Sequence, residues 1–99
     1  MDSIVNFDNI PWVQIHKGMR CKLYINGNKQ IRMIELSEEF EELDWCVHSH
    51  TNYVLEGEFA ANFGGKIVNY KKGDILYIPE GMKHKVLLGI NCKVVLLDF

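Results

Sequence analysis

Hydrophobic and polar residues alternate along most of the chain, in short runs separated by turn residues. Residues 19–25 and 30–36 flank Asn26-Gly27, a dipeptide typical of tight hairpins because the turn requires positive φ. No apolar stripe with helical spacing is long enough to require a core helix. About eight to ten short strands at regular spacing predict an all-β sandwich or barrel. Further strands are predicted at residues 47–59, 67–70, 75–78, 83–88 and 93–99.

The acidic run SEEFEEL, residues 37–43, is the least strand-like part of this pattern. It fits either a helical turn capped by Ser37 or a solvated loop. We favour the loop.

Length and composition indicate one globular domain over residues 1–99. The 99 residues are 47% hydrophobic and 24% charged, which is close to the average for soluble domains. No apolar run approaches the roughly 20 residues that span a bilayer, and the first residues lack the basic and apolar regions of a signal peptide. We therefore expect a cytoplasmic protein with no membrane association.

The charge and the cysteines narrow the class of partner. The net charge is −2, and the lysines at positions 66, 71 and 72 fit a solvated hairpin, so no nucleic-acid partner is predicted. The three cysteines form no CxxC motif, which indicates reduced thiols. We place Cys21 and Cys92 on core strands and His16 at the surface.

Two motifs carry a family resemblance. In GDILYIPEGMKH, Gly73 and Gly81 suit turns, Pro79 ends a strand, and His84 begins the next one. The hairpin YVLEGE at residues 53–58 precedes it. Together they resemble the two motifs of the cupin superfamily, and the chain looks like a small single-domain cupin with its motif region at residues 44–88. The resemblance implies a double-stranded β-helix, the jelly-roll barrel of the cupin type.

The first cupin motif departs from the family pattern. If Gly57 is its final glycine, His50 stands where the family has glutamate, and Asp44 and Cys46 stand at its two histidine positions. In a second register, His48 and His50 are the histidine pair and Glu56 is the acid. We prefer the first register, because YVLEGE fixes the hairpin.

Cupins often hold a divalent metal inside the barrel, and the resemblance assigns candidate ligands here. They are Cys46, His50 and His84, with His48 or Asp44 as a fourth. Strand alternation places His48, Cys46, Asn52 and Val54 on the side of His50. A sulfur ligand favours zinc, while iron, nickel, copper and manganese stay open as alternatives.

The predicted function is binding of a divalent metal and a small polar or carboxylated ligand inside the barrel. The alternative is a metal-free small-molecule binding or sensor module without catalytic activity. The residues do not decide whether the protein is an enzyme. Asn52 and Tyr77 are further candidates for the polar lining. We expect a homodimer, in which residues 4–7 could pair with the second subunit.

Overall fold

The computed structural model describes residues 4–42, 44–89 and 92–99, and these are almost entirely β-structure. One 3₁₀ helix, Phe7–Asn9, precedes the strands, and no helix in these ranges is long and apolar enough to cross a membrane. The strands are β1 Val13–His16, β2 Met19–Asn26, β3 Lys29–Ser37, β4 His50–Glu56, β5 Glu58–Asn62, β6 Ile67–Lys71, β7 Ile75–Ile78, β8 Lys85–Leu87 and β9 Lys93–Asp98.

The strands form two antiparallel sheets. The larger has the order β1-β2-β3-β9-β4-β7, and the smaller has the order β6-β5-β8. The last strand therefore lies in the middle of the larger sheet, between β3 and β4. This arrangement confirms the all-β barrel of the cupin type.

Alternate side chains of each strand point into the barrel and form its core. In the larger sheet Ile34, Leu96 and Val54 lie side by side on β3, β9 and β4, and all three are buried. On β4 the burial alternates, with Asn52 and Val54 inside and Thr51 and Tyr53 outside. β4 thus keeps the two-residue burial period expected of a half-buried strand.

One sharp corner moves the chain from the larger sheet to the smaller one. The predicted strand 47–59 is wrong as a single element, because it starts at His50 and divides at Gly57. Gly57 has φ +80°, and a Cβ added there would overlap the Lys93 carbonyl oxygen. A strand that changes sheet needs such a bend, and glycine provides it.

Smaller corrections concern turns and ends. The first hairpin pairs Asn26 with Lys29, so its two turn residues are Gly27 and Asn28, one position later than predicted. Residues 38–42 form no helix, as expected of a loop. Cys92 lies before β9 rather than on a strand and is half-buried. The edge strand β1 was not predicted, although its sequence VQIH alternates, and every one of its residues is exposed.

Residues 38–42 and 44–49, which we call the mouth segment, run across one end of the barrel. Phe40 packs against the core, and Gly18 lies so close to it that any side chain at Gly18 would meet the Phe40 backbone. Further along, Cys46 and His84 exchange two backbone hydrogen bonds of 3.0 Å. This pairing attaches the mouth segment to the strand that begins after His84.

Candidate metal centre

Three side chains from three parts of the fold meet inside the barrel. His50 begins β4, His84 precedes β8, and Cys46 belongs to the mouth segment. Their ligand atoms all lie within 4.8 Å of one another. The Cys46 Sγ is 3.5 Å from the His50 Nε2, and the rings of His50 and His84 meet edge to face with centroids 5.0 Å apart.

The orientation of His84 is fixed by the backbone. Its Nδ1 lies 2.9 Å from the Met82 carbonyl oxygen. A carbonyl only accepts, so Nδ1 carries the proton and donates it, which leaves the lone pair of Nε2 free. His84 is 2% exposed, so the ring is held by packing as well. A metal-binding histidine is usually oriented by a hydrogen bond of this kind.

The spacing of the three atoms fits a metal with a modest adjustment. Ligands of a tetrahedral zinc lie about 3.5 Å apart, since each is about 2.0–2.3 Å from the ion. The Cys46–His50 distance of 3.5 Å already has this value. Closing the widest separation, 4.8 Å, requires shifts of roughly 1 Å. The donor set, one thiol and two imidazoles, therefore fits zinc or copper better than a hard cation.

His50 is held in the neutral form that ligation requires. Burial lowers its pKa below the ordinary value of 6.5, and the neighbouring His84 lowers it further. The carboxylates of Asp98 and Glu42 oppose this shift, while Arg32 adds to it. Because the net direction is downward, the imidazole is neutral at pH 7 and its lone pair is available.

A polar row lies next to His50 on the inner face of the larger sheet. Arg32 on β3, Asp98 on β9 and Asn52 on β4 are direct neighbours in the register. Arg32 donates to Asp98 Oδ2 through Nε at 2.8 Å and Nη2 at 2.6 Å, and Asn52 Nδ2 donates to Asp98 Oδ1 at 2.9 Å. Asp98 therefore neutralises the arginine and fixes the amide of the buried Asn52.

These groups face a cavity of about 860 Å³. Its walls are mainly apolar, and its polar lining includes Arg32 and Glu42, whose charges act on His50. Three exposed acids of the mouth segment, Glu39, Glu41 and Asp44, line the opening together with the exposed Lys17, while Glu42 lies further in and is half-buried. The apolar part of the wall is made by Ile15, Met19, Ile34, Leu36, Phe40, Phe59, Ala61, Leu76, Ile78, Val86 and Leu96.

The predicted site residues occupy different places in this cavity. Cys46, His50 and His84 form the group just described. His48 and Asp44 are exposed and line the cavity without joining that group, so a fourth ligand stays a prediction for them. Asn52 lies inside as expected, whereas Tyr77 is 71% exposed on the outer face of β7 and does not line the cavity.

Several cavity residues were missed from the sequence. His16 is exposed as expected, but it also lines the cavity. Arg32 and Glu42 are the two that make hydrogen bonds to distant parts of the chain. Arg32 is an ordinary polar position in an alternating strand, and nothing local reveals its partner 66 residues away. Glu42 lies in the acidic run interpreted as solvated, yet it is half-buried and accepts a hydrogen bond from the Val86 amide at 2.8 Å. Only the course of the mouth segment shows which of its acids turns inward.

Comparison with known proteins gives the same fold. KdgF from Halomonas sp. superposes with a TM-score of 0.75 at 18% identity, covering 97% of this chain and 93% of that one. A predicted oxalate decarboxylase from Thermotoga maritima gives 0.78 at 17% identity, covering 96% and 95%. The polyketide cyclase RemF from Streptomyces resistomycificus gives 0.70 at 19% identity, covering 99% and 79%.

At these identities the likeness concerns the fold alone. No curated protein sequence matches the chain. The sequence model of the family described as "Cupin domain" matches residues 45–96, which include Cys46, His50 and His84. With more than half of its length matched by that family and the barrel observed, the chain belongs to the cupins.

Proposed function

We propose that the protein binds a divalent metal ion through Cys46, His50 and His84 and holds a small polar ligand in the cavity beside it. The observation that carries this proposal is the convergence of three ligand atoms within 4.8 Å at the wall of a large cavity. The free Nε2 of His84 and the neutral His50 support it, because a metal needs both lone pairs.

Zinc is the metal that we favour. Thiolate and imidazole are its usual protein ligands, and three of them leave a fourth position for water or a ligand. Copper is the strongest competitor, since two imidazoles and one thiolate also form copper sites; iron, nickel and manganese are further alternatives. A metal in such an open site polarises a bound carbonyl or water.

The cavity supports a ligand with a polar end and an apolar body. Arg32 and Glu42 line it within electrostatic reach of His50, and most of its wall is apolar. The acids at the opening and the neutralisation of Arg32 by Asp98 disfavour a strongly anionic molecule. A polar, uncharged end therefore suits this site better than a carboxylate.

The alternative is a metal-free binding module, and one observation favours it. Among the described residues, no buried side-chain nitrogen or oxygen lacks a hydrogen-bond partner. The Cys46 and His50 side chains also contact each other directly. The Cys46 thiol and the His50 ring are thus already partners of each other before any ion is bound.

Metal analysis of the purified protein, combined with two variants, separates these functions. We expect one equivalent of metal, a lower melting temperature after chelation, and its recovery on adding Zn²⁺. His50→Ala and His84→Ala should each weaken zinc binding by at least about 100-fold, because each removes a direct ligand. Gln30→Ala, a change at an exposed position of β3 that does not line the cavity, is the control and should bind as the wild type does.

Substoichiometric metal, with a melting temperature that neither Zn²⁺ nor chelator changes, would contradict metal binding. Mass spectrometry of the metal-free protein would then test the alternative. Ala61 is buried in the cavity wall, and Ala61→Leu would fill part of the cavity. The alternative is supported if a small molecule copurifies with the wild type and is lost in Ala61→Leu.

A further inference from the structure

We propose that Glu42 is a positioning residue for the metal centre, whose carboxylate keeps the segments that carry Cys46 and His84 in register. This inference rests on the proposed metal binding and adds a residue outside the ligand set. Its geometric basis is the 2.8 Å hydrogen bond from the Val86 amide to Glu42 Oε1.

The hydrogen bond completes a ladder that the backbone leaves unfinished. Cys46 and His84 form an antiparallel pair through two backbone hydrogen bonds. In such a ladder the hydrogen-bonded pairs recur every two residues, so the carbonyl of residue 44 would next accept from Val86. The structure instead records an isolated bridge at Cys46, and the Glu42 side chain accepts at Val86.

The side-chain hydrogen bond from Val86 to Glu42 therefore connects the segments that carry two of the three ligands. Val86 lies two residues after His84, on the short strand β8 that His84 precedes, and Glu42 lies four residues before Cys46. Without the carboxylate, the Cys46–His84 pair and the hydrogen bond from the Gly81 amide to the Val47 carbonyl oxygen would remain, and both lie on the N-terminal side of Val86. The two ligand atoms would then sample a wider range of separations, and closing them around an ion would cost more conformational entropy.

Glu42 is also placed to act at the site rather than in solvent. It is half-buried and lines the same cavity as the three ligands. The neighbouring Glu41 is exposed, which makes it a suitable comparison.

The positioning role requires an acceptor oxygen and not a charge, which gives a matched set of variants. Glu42→Gln keeps an acceptor, and Glu42→Ala removes it. Glu41→Ala removes an adjacent acid from the same segment. Zinc affinity is measured by competition with a chromophoric chelator. The thiolate-to-cobalt absorption of Co²⁺-loaded protein reports whether Cys46 is bound.

We expect Glu42→Ala to bind zinc about 10–100-fold more weakly, as is usual when a group that orients a ligand is lost. At a fixed Co²⁺ concentration, the thiolate-to-cobalt absorption of Glu42→Ala should be weaker than that of the wild type. Glu42→Gln should stay within about threefold of the wild type, and Glu41→Ala should match it. Exchange of the Val86 amide hydrogen should be faster in Glu42→Ala alone, which tests the hydrogen bond without a metal.

Two results would overturn the inference while leaving the proposed function intact: wild-type affinity in Glu42→Ala, or equal weakening in Glu42→Gln and Glu42→Ala. If the wild-type protein binds no zinc, both the proposed function and this inference are contradicted. Since Glu42→Gln retains the hydrogen bond, the comparison holds even if Glu42→Ala folds poorly.

Discussion

His50 is an imidazole whose protonation is opposed by the fold. Burial and the nearby His84 lower its pKa, so the folded protein resists adding a proton that the unfolded chain accepts near pH 6.5. This couples the free energy of unfolding to pH. The contribution of His50 is present above pH 6.5 and is lost as the pH falls from there through the folded-state pKa.

We therefore expect the metal-free protein to become less stable between pH 7.5 and pH 5, as roughly 1.4 kcal/mol accompanies each unit of pKa difference. Urea unfolding at several pH values measures the loss, and His50→Gln should reduce it. His16→Gln, a change at an exposed histidine, should leave the loss as in the wild type. Equal pH dependence in the wild type and His50→Gln would contradict this role for His50.

At the residue scale, strand periodicity predicts which side chains of one strand point inward. It does not predict the burial of side chains on loops. The two-residue period places Asn52 and Val54 inside, and both are buried. The environments of His48 and Glu42 depend on how the mouth segment crosses the barrel, and no local periodicity encodes that path. Burial of Glu42 is a tertiary result, since its partner Val86 is 44 residues away.

Gly57 forms the corner between β4 and β5. An alanine there would combine positive φ, which costs about 1–2 kcal/mol, with overlap on the Lys93 carbonyl oxygen. We expect Gly57→Ala to destabilise the protein by more than about 3 kcal/mol in chemical denaturation. Gly73→Ala is the control, because Gly73 has φ +93° and no atom within 4 Å, so about 1–2 kcal/mol is expected. Equal losses would show that crowding at the corner is unimportant.

The row of Arg32, Asp98 and Asn52 joins three strands through one carboxylate. Asp98→Ala leaves a partly buried guanidinium and a buried amide without their acceptor. We expect a loss of about 2–4 kcal/mol in the free energy of unfolding. Lys71→Met, which removes the exposed ion pair with Asp74, should change it by less than about 0.5 kcal/mol. Similar effects from both variants would mean that the row is structurally neutral.

Elements with strong alternation and turn residues were predictable, and the others were not. The hairpin of β2 and β3 follows from its pattern, with the turn displaced by one residue because Asn26 itself pairs with Lys29. The division of residues 47–59 is hidden from the pattern, since alternation continues on both sides of Gly57. Only the approach of Lys93, a long-range contact, explains why a glycine must stand there.

For the whole molecule, the outer face beside β7 bears on assembly. In the described part of the chain β7 has a neighbouring strand on one side, and Ile75 and Tyr77 are 64% and 71% exposed. The homodimer stays a prediction. Residues 4–7 form no strand and Phe7 lies in the 3₁₀ helix, so we expect the subunits to meet at this edge rather than at residues 4–7. Sedimentation should give twice 11.5 kDa, with Tyr77→Glu weakening the dimer and Ile25→Glu, at a distant exposed position, leaving it unchanged. A monomer at micromolar concentration would contradict this expectation.

The barrel as a whole was predictable because two spaced motifs and regular strands agree on one architecture. The order of strands in the sheets was not, since it depends on which distant strands pair. The insertion of β9 between β3 and β4 is the clearest case.

That insertion also constrains when the protein can fold. During synthesis β3 and β4 emerge early, but their common neighbour is made only after about 40 further residues have followed β4. Until then both strands carry unpaired edges, and the polar row lacks Asp98. The nascent chain therefore has to keep these edges from aggregating until translation reaches residue 98, and slow codons just before β9 would prolong its exposure to proteases and chaperones.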